Sequence, residues 1–452
     1  MDVKAYVAEY IARARVAQQE VEKYDQKQID ALVRAIGKAV YDNAEKLARL
    51  AIDETRMGCY EDKVYKNSMK SKAIYNSLKG KKSIGIIDYN AETGITQIAK
   101  PVGVVGGIMP TTNPNVTLMS NAMFAVKCAN ALIVSCHPRA LKSSILTTEL
   151  INEALDKLGA PKNLIQIFDQ ISLDITNEMA KQVDLVIATG GAAMVKSVYS
   201  SGTPAVGVGV GNAQAIVDYG MDHDAVAKMV IRGRTYDSSI ICSGEQTVFI
   251  PKSEKDDFIK ALEANNAYVV KDKAQNDALR SAIFPDGHMN RELVGQSAQT
   301  VAKTAGFSIP DDKIVVVAQG ESPEDLFGNE KMFPVLNLYT YDKWEEGVEY
   351  ARTNLSREGM GHSIAIHTND KKKMEYAGLR INVSRVLVNQ ICASSAGGTF
   401  TNGLAPTNSM GCGTWGNNSI SENLTYHHLM NVTRVAELVD RPIPSDEEIW
   451  AD

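Results

Sequence analysis

With 452 residues, 44% of them hydrophobic and 23% charged, the chain has the composition of a soluble globular protein with room for two or three domains. A balance of 48 basic against 54 acidic residues with no dense basic stripe excludes nucleic acid as a main partner, and no apolar run reaches the length of a membrane span. Six cysteines without a CxxC pair support neither a zinc site nor a disulfide framework; with an N-terminus, Met1-Asp2-Val3-Lys4, that lacks a secretory apolar region, they predict a reduced, metal-free, cytoplasmic protein.

Residues 2–80 read as helices. Val33, Ile36 and Val40, then Ala44, Leu47 and Leu50, recur at helical spacing in a segment rich in Lys and Glu. The period changes at 83–99, where two β-prone runs flank Asn90-Ala91-Glu92-Thr93-Gly94 and predict a hairpin. From residue 102 onward strands are expected at 102–108, 131–135, 164–168 and 185–189, with helices at 118–128 and 143–158. This alternation predicts βαβ units and a parallel sheet whose ligand loops lie at the carboxyl ends of the strands. The loops after Ile108, Ser135 and Thr189 are therefore candidates for binding. Gly190-Gly191 precedes a helix and can bring backbone N–H groups close to a ligand. Gly207-Val208-Gly209-Val210-Gly211-Asn212 leads into a strand at 215–217. Neither cluster has the GxGxxG spacing of a standard dinucleotide turn.

A helix after Asp222 leads to Ile240-Ile241-Cys242-Ser243-Gly244 and a β-prone run at 247–250. A thiol flanked by small residues in front of a rigid strand suits covalent catalysis, although an inert buried cysteine is the commoner use of the residue. A second α/β block continues to about residue 405, with apolar runs at 313–318, 330–336 and 363–367. The tail from Asn402 is rich in Gly, Asn, Ser and Thr, a long loop of the kind that carries function. The β-prone run at 429–435 is suited to pair with the early hairpin.

Taken in order, several segments resemble the aldehyde dehydrogenase superfamily over nearly the whole chain, and within it the CoA-acylating branch. They are Thr111-Thr112-Asn113-Pro114, His137-Pro138, Thr189-Gly190-Gly191, the Cys242 stretch, the run at 330–335 and the motif GCGTWGNNSISEN at 411–423. The last is similar to the acylating enzymes of aldehyde/alcohol dehydrogenase fusions and to the succinate-semialdehyde and sulfoacetaldehyde dehydrogenases that form CoA thioesters. Overall the likeness to the succinate-semialdehyde group is the nearest.

The resemblance implies that Cys242 is the nucleophile. The Asn113 side-chain amide and the Cys242 backbone N–H would hold the oxyanion, such donors being worth about 3–4 kcal/mol each. It also implies NAD or NADP, with Glu330 on the nicotinamide ribose, His137 on the adenosine ribose, and Thr111, Pro138, Gly190 and Gly191 around the dinucleotide. Arg139 and Lys142 are either partners of a 2′-phosphate or solvated loop charges. Gly207 stands in the place of the glutamate with which hydrolytic relatives activate water, so the resemblance implies a thioester that waits for the CoA thiol. The implied reaction is the reversible oxidation of a short aldehyde with CoA and NAD(P)+. Succinic semialdehyde is favoured, with sulfoacetaldehyde, acetaldehyde and butyraldehyde as alternatives. Arg232, Arg234, His362, Arg385, Ser394 and Ser395 are either partners of a substrate anion or structural. Asp237-Ser238-Ser239 departs from the Asp-Asn-Gly usual before the catalytic strand.

The implied fold is α/β. A Rossmann-type cofactor domain is expected over 1–82 and 100–217, and an α/β catalytic domain over 218–405. A β bridging element would comprise the hairpin at 83–99 and residues 406–452. An unpaired apolar hairpin predicts a homodimer or a dimer of dimers. The expected partners are a small aldehyde and CoA, without nucleic acid, membrane or metal. A hydrolytic or phosphorylating dehydrogenase lacks support at Gly207, and an inactive scaffold would have no reason to keep Cys242, Asn113 and Glu330 together.

Overall fold

The computed structural model describes residues 2–322 and 324–451. Four helices open the chain: α1 (Val3–Val21), α2 (Gln26–Asp42), α3 (Ala44–Thr55) and α4 (Tyr60–Leu78). α2 starts at a reciprocal Asp25–Gln28 capping box and buries Ile29, Leu32, Val33, Ile36 and Val40, the stripe expected from helical spacing. The hairpin follows as β1 (Gly85–Asn90) and β2 (Ile95–Pro101).

The next segment alternates strand and helix: β3 (Val104–Met109), α5 (Pro114–Lys127), β4 (Ala131–Cys136), α6 (Leu141–Asp156), β5 (Ile165–Ile167), α7 (Leu173–Gln182), β6 (Leu185–Thr189), α8 (Ala192–Tyr199) and β7 (Ala205–Val208). These strands form one parallel sheet in the order β5-β4-β3-β6-β7. Every residue of β3 and β4 is buried, as befits strands covered by helices on both faces. The order reverses at β3. The chain leaves it for β4 on one side and later returns to β6 on the other, which opens a crevice at the carboxyl ends of β3 and β6.

A second parallel sheet is built from β8 (Ala213–Val217), β9 (Glu245–Pro251), β10 (Ala267–Val269), β11 (Val315–Gln319), β12 (Val335–Tyr341), β13 (Gly361–His367) and β14 (Val383–Val388). Its order is β10-β11-β12-β9-β8-β13-β14. α9 (His223–Thr235) connects β8 to β9. β8, assigned from the sequence to the first unit, pairs with β9 and β13, so the chain changes sheets within the glycine-rich residues 209–212. The run at 330–336 is mostly loop. β12 begins only at Val335, which leaves Glu330 ahead of the strand.

β15 (Met430–Ala436) completes a three-stranded antiparallel sheet, β1-β2-β15, with Met430 opposite Pro101 and Ala436 opposite Ile95. The tail therefore pairs with the hairpin as expected. Ile86 and Tyr89 on the outer strand and Leu438, Ile443 and Trp450 beyond β15 are exposed. No helix among the described residues is long and apolar enough to cross a membrane.

Candidate active site

A single cleft of about 640 Å³ runs along the carboxyl ends of β3, β4 and β6 and across to the segment before β9. Cys136 at the end of β4 and His137 and Pro138 after it line one end together with Ile171 to Leu173 at the start of α7. Thr111 to Asn113, after β3, and Thr189 to Gly191, after β6, line the middle. Ile240, Ile241, Cys242, Ser243, Glu330 and Met332 close the other end. Cys242, Asn113 and Glu330, separated by up to 217 positions in the chain, thus meet in one place.

Cys242 reaches the cleft through an unusual turn. Asp237, Ser238 and Ser239 have φ values of 49°, 54° and 68°, three left-handed residues in a row. Such a conformation costs an L-residue about 1–2 kcal/mol, least for Gly, Asn and Asp, which accounts for the Asp-Asn-Gly usual at this point. Here serines adopt it, and Asp237 anchors the turn. Its N–H donates to Asp62 (2.8 Å), and its carboxylate accepts from the Cys59 N–H (2.9 Å), from Lys63 Nζ (3.1 Å) and from Lys66 Nζ. Burial pushes the Asp237 carboxyl up, but the Lys66 and Lys63 ammoniums beside it outweigh that and hold it below the ordinary carboxylate range. The departure from Asp-Asn-Gly leaves the turn in place.

The Cys242 side is half-buried, and its thiol is pushed up to about 12, first by burial and then by the charge of Glu330. It rests as a thiol at neutral pH. Behind it the Ser243 hydroxyl donates to the Ala393 carbonyl (3.0 Å). Asn113 is the N-cap residue of α5, yet its side chain makes no capping bond. Its Oδ1 accepts from Lys66 Nζ (2.5 Å) and its Nδ2 donates to Thr112 Oγ1 (3.2 Å).

The crevice fits a dinucleotide. A Cβ on Gly191 would meet nothing within 4 Å and one on Gly190 only Met194 at 3.8 Å, so the floor beside the α8 N-terminus is open to a flat ring. Glu330 faces this space. Burial, then the Glu358 charge, raises its carboxyl to about 8. It is the one carboxylate among the described residues that line the cleft.

Gly207 does not face the cleft. Its Cβ would meet Val195 at 2.6 Å and Tyr199 at 2.8 Å on α8, and its N–H donates to the Tyr199 hydroxyl (2.8 Å). Val208, Gly209 and Val210 present the run to the cleft instead. Residues 207–212 contain no carboxylate, and the part of the run that lines the cleft is 208–210, not the Gly207 singled out from the sequence.

Several expected ligands lie elsewhere. Arg139 donates to the Thr55 carbonyl (3.2 Å), and neither it nor Lys142 lines the cleft. Arg234 is fully buried and donates to the carbonyls of Glu245 (3.1 Å) and Ser239 (2.8 Å); it braces the turn and cannot meet a substrate anion. His362 is likewise enclosed, bonded to Ser363 Oγ (2.6 Å). Arg385 ties the 411–423 motif down through Asn423 Oδ1 (3.0 Å) and the Gly411 carbonyl (2.8 Å), and Arg232 pairs with Asp62. Ser395 is buried outside the cleft, and Ser394 lines a small neighbouring pocket with Tyr65, Tyr236 and Phe400.

The residue that sequence reasoning missed is Lys70, the one lysine or arginine among the described residues lining the cleft. Its Nζ donates to the carbonyls of Gly397 (2.8 Å) and Gly398 (3.0 Å). A signal was present in the sequence: Lys63, Lys66 and Lys70 share one stripe of α4 with the buried Ile74.

The parallel sheet opens its crevice at the order reversal, the place where open α/β folds take their ligands, and Cys242 lines that crevice. The chain belongs to the aldehyde dehydrogenase family, whose profile matches residues 2–405. It is 48% identical to the succinate-semialdehyde dehydrogenase (acetylating) of Clostridium kluyveri over 453 aligned positions, 100% of each chain. It is 40% identical to a sulfoacetaldehyde dehydrogenase of an Acholeplasma species, over 99% of this chain and 94% of that one. Among solved structures, an acetylating aldehyde dehydrogenase from Geobacillus thermoglucosidasius superposes with a TM-score of 0.93 at 35% identity, covering 98% of both chains.

Proposed function

We propose that the protein oxidises a short anionic aldehyde, succinic semialdehyde foremost, with NAD or NADP and CoA to the acyl-CoA, in a reversible reaction. One observation carries the acylating reading. Around Cys242 the cleft offers Val208, Gly209 and Val210 where a base for water would stand, and its lining carboxylate, Glu330, is the group suited to the nicotinamide ribose. A thiol nucleophile then has the advantage over water.

In this reading the Cys242 thiol gives up its proton to solvent, its sulfur attacks the aldehyde carbon, a C–S bond forms, and the carbonyl π pair moves to oxygen. Asn113 Nδ2–H and the Cys242 N–H stabilise that alkoxide. The dinucleotide, when bound over Gly190 and Gly191, supplies the hydride acceptor. The alkoxide pair re-forms the carbonyl as the C–H hydride departs; the CoA sulfur then bonds to the acyl carbon, the bond to Cys242 breaks, and the proton given up by the CoA thiol is regained by the Cys242 sulfur. Exposed Ile86 and Tyr89 on β1, with Leu438, Ile443 and Trp450 beyond β15, support a homodimer or a dimer of dimers.

Lys70 supports an anionic substrate. An ammonium has three N–H donors, and the Gly397 and Gly398 carbonyls take two, which leaves one for a carboxylate or sulfonate. The likeness to the succinate-semialdehyde enzyme of Clostridium kluyveri points the same way. A steady-state panel of succinic semialdehyde, sulfoacetaldehyde, acetaldehyde and butyraldehyde, each with CoA and NAD(P)+, tests the reading. Succinic semialdehyde is expected to exceed butyraldehyde in kcat/KM by about tenfold or more, the worth of one charge-assisted hydrogen bond. A preference for butyraldehyde contradicts it.

A further inference from the structure

We infer that Lys66 is a positioning residue for the oxyanion site: it fixes the Asn113 amide so that the nitrogen, and not the oxygen, serves the cleft. The inference rests on the acylating reading above. An asparagine side chain has a donor end and an acceptor end of nearly the same shape, and an alkoxide is served by only one of them. Nothing in the capping of α5 decides between them, because Asn113 makes no capping bond.

Lys66 decides it. Its ammonium has only donors and lies 2.5 Å from Asn113 Oδ1, so the flipped amide would set N–H against N–H. The opposite end, Nδ2, has two N–H groups. One donates to Thr112 Oγ1 (3.2 Å), and the other is left over on a residue that lines the cleft with Cys242. The ammonium also polarises the amide, making that remaining N–H a stronger donor. Lys66 is itself held from behind. Its side chain is 6% exposed, and it shares the fully buried Asp237 carboxylate with Lys63, whose Nζ also donates to the Thr112 carbonyl (3.1 Å). Asp237 is the anchor of the left-handed turn that delivers Cys242. The buried Asp237 carboxylate thus serves both halves of the reacting geometry: the turn that delivers Cys242, which Lys63 and the Cys59 N–H hold to it without Lys66, and the oxyanion donor through Lys66. Lys66 does not line the cleft and acts only through Asn113.

The alternative is that Lys66 only neutralises Asp237. A double-mutant cycle with Asn113 separates the two. The readouts are the pre-steady-state burst of NAD(P)H with aldehyde, which passes through the oxyanion, and the alkylation of Cys242 by iodoacetamide, which does not. Lys66→Met is expected to slow the burst by about 10- to 100-fold in the presence of Asn113, a large part of an oxyanion donor's worth, but by less than about 2-fold in an Asn113→Ala background. Alkylation is expected to stay within about 2-fold of wild type in both. Equal burst losses in the two backgrounds, or alkylation falling in step with the burst, overturn the inference. Should Lys66→Met not fold, Lys66→Gln, which keeps an N–H donor for Asn113 Oδ1 but no charge for Asp237, decides: the inference expects a burst within about 3-fold of wild type, and a loss of about tenfold or more overturns it. Absence of any burst from the wild-type protein overturns the acylating reading and this role with it. A wild-type burst that Lys66→Met leaves unchanged overturns this role alone.

Discussion

Gly211 packs directly against Cys242: a Cβ on Gly211 would overlap the Cys242 carbonyl and stand 3.1 Å from its Cβ. The loop between β7 and β8 is therefore the wall behind the nucleophile. Gly211→Ala must push Cys242 out of place, and since a displacement of about 1 Å at a reacting atom costs about 100-fold, kcat is expected to fall by that factor or more. The NAD(P)H burst measures it. An alanine variant with wild-type kcat would show that the position of Cys242 is not held from this side.

Lys70 makes two connected predictions. Lys70→Met is expected to raise KM for succinic semialdehyde by about 10- to 100-fold while changing butyraldehyde kinetics by less than about 3-fold, because only the charge-assisted bond is lost. Burial, then the neighbouring Lys66, lowers the Lys70 ammonium to about 8. The ammonium is charged below that pH and neutral above it. In the wild type, KM for the anionic aldehyde is therefore expected to climb above pH 8, with no such rise for butyraldehyde. Parallel pH profiles for the two substrates check this.

The resting state of Cys242 is open to direct measurement. Its thiol is held at about 12, so in the free enzyme the thiolate fraction rises with pH throughout the accessible range. The rate of iodoacetamide alkylation is expected to grow about tenfold per unit between pH 7 and 10, without a plateau. A plateau near neutrality would mean that a base or cation activates the thiol before any cofactor arrives.

Glu330 links stability to pH. Its carboxyl is raised from 4.5 in an unperturbed chain to about 8 in the fold, by burial first and the Glu358 charge second. Between those values the folded protein keeps a proton that the unfolded chain has released, so this group's contribution to stability declines as pH rises through that window. Glu330→Gln carries no such proton. It is expected to melt at a higher Tm than wild type at pH 9 and at a similar Tm at pH 4, while losing affinity for the dinucleotide. Equal shifts at both pH values would contradict the linkage.

The family resemblance of the motifs singled out Asn113, Cys242 and Glu330, and the fold brings the three to one cleft. Asn113 follows a strand and opens α5, Cys242 precedes β9, and Glu330 precedes β12. The alternation of strand and helix made the parallel sheet legible, and the β-prone run at 429–435 made the antiparallel pairing of the tail with the hairpin legible. What sets the surroundings was not legible. Arg234, His362 and Arg385 read as possible anion partners, yet all three are buried away from the cleft, the two arginines donating to carbonyl and amide oxygens that folding brings to them. β8 was misassigned because a short buried strand gives no sign of which sheet it joins. Lys70 was hidden for the converse reason: a lysine on a charged helix reads as solvated until the fold turns its stripe toward the cleft.

The central claim is that the acyl group on Cys242 waits for a thiol. Rapid mixing of the enzyme with succinic semialdehyde and NAD(P)+ in the absence of CoA measures this directly. The expected result is a burst of one NAD(P)H per Cys242, followed by turnover slower by about 100-fold or more until CoA restores it, since a general base is worth about that much. Sustained turnover at the full rate without CoA would contradict it.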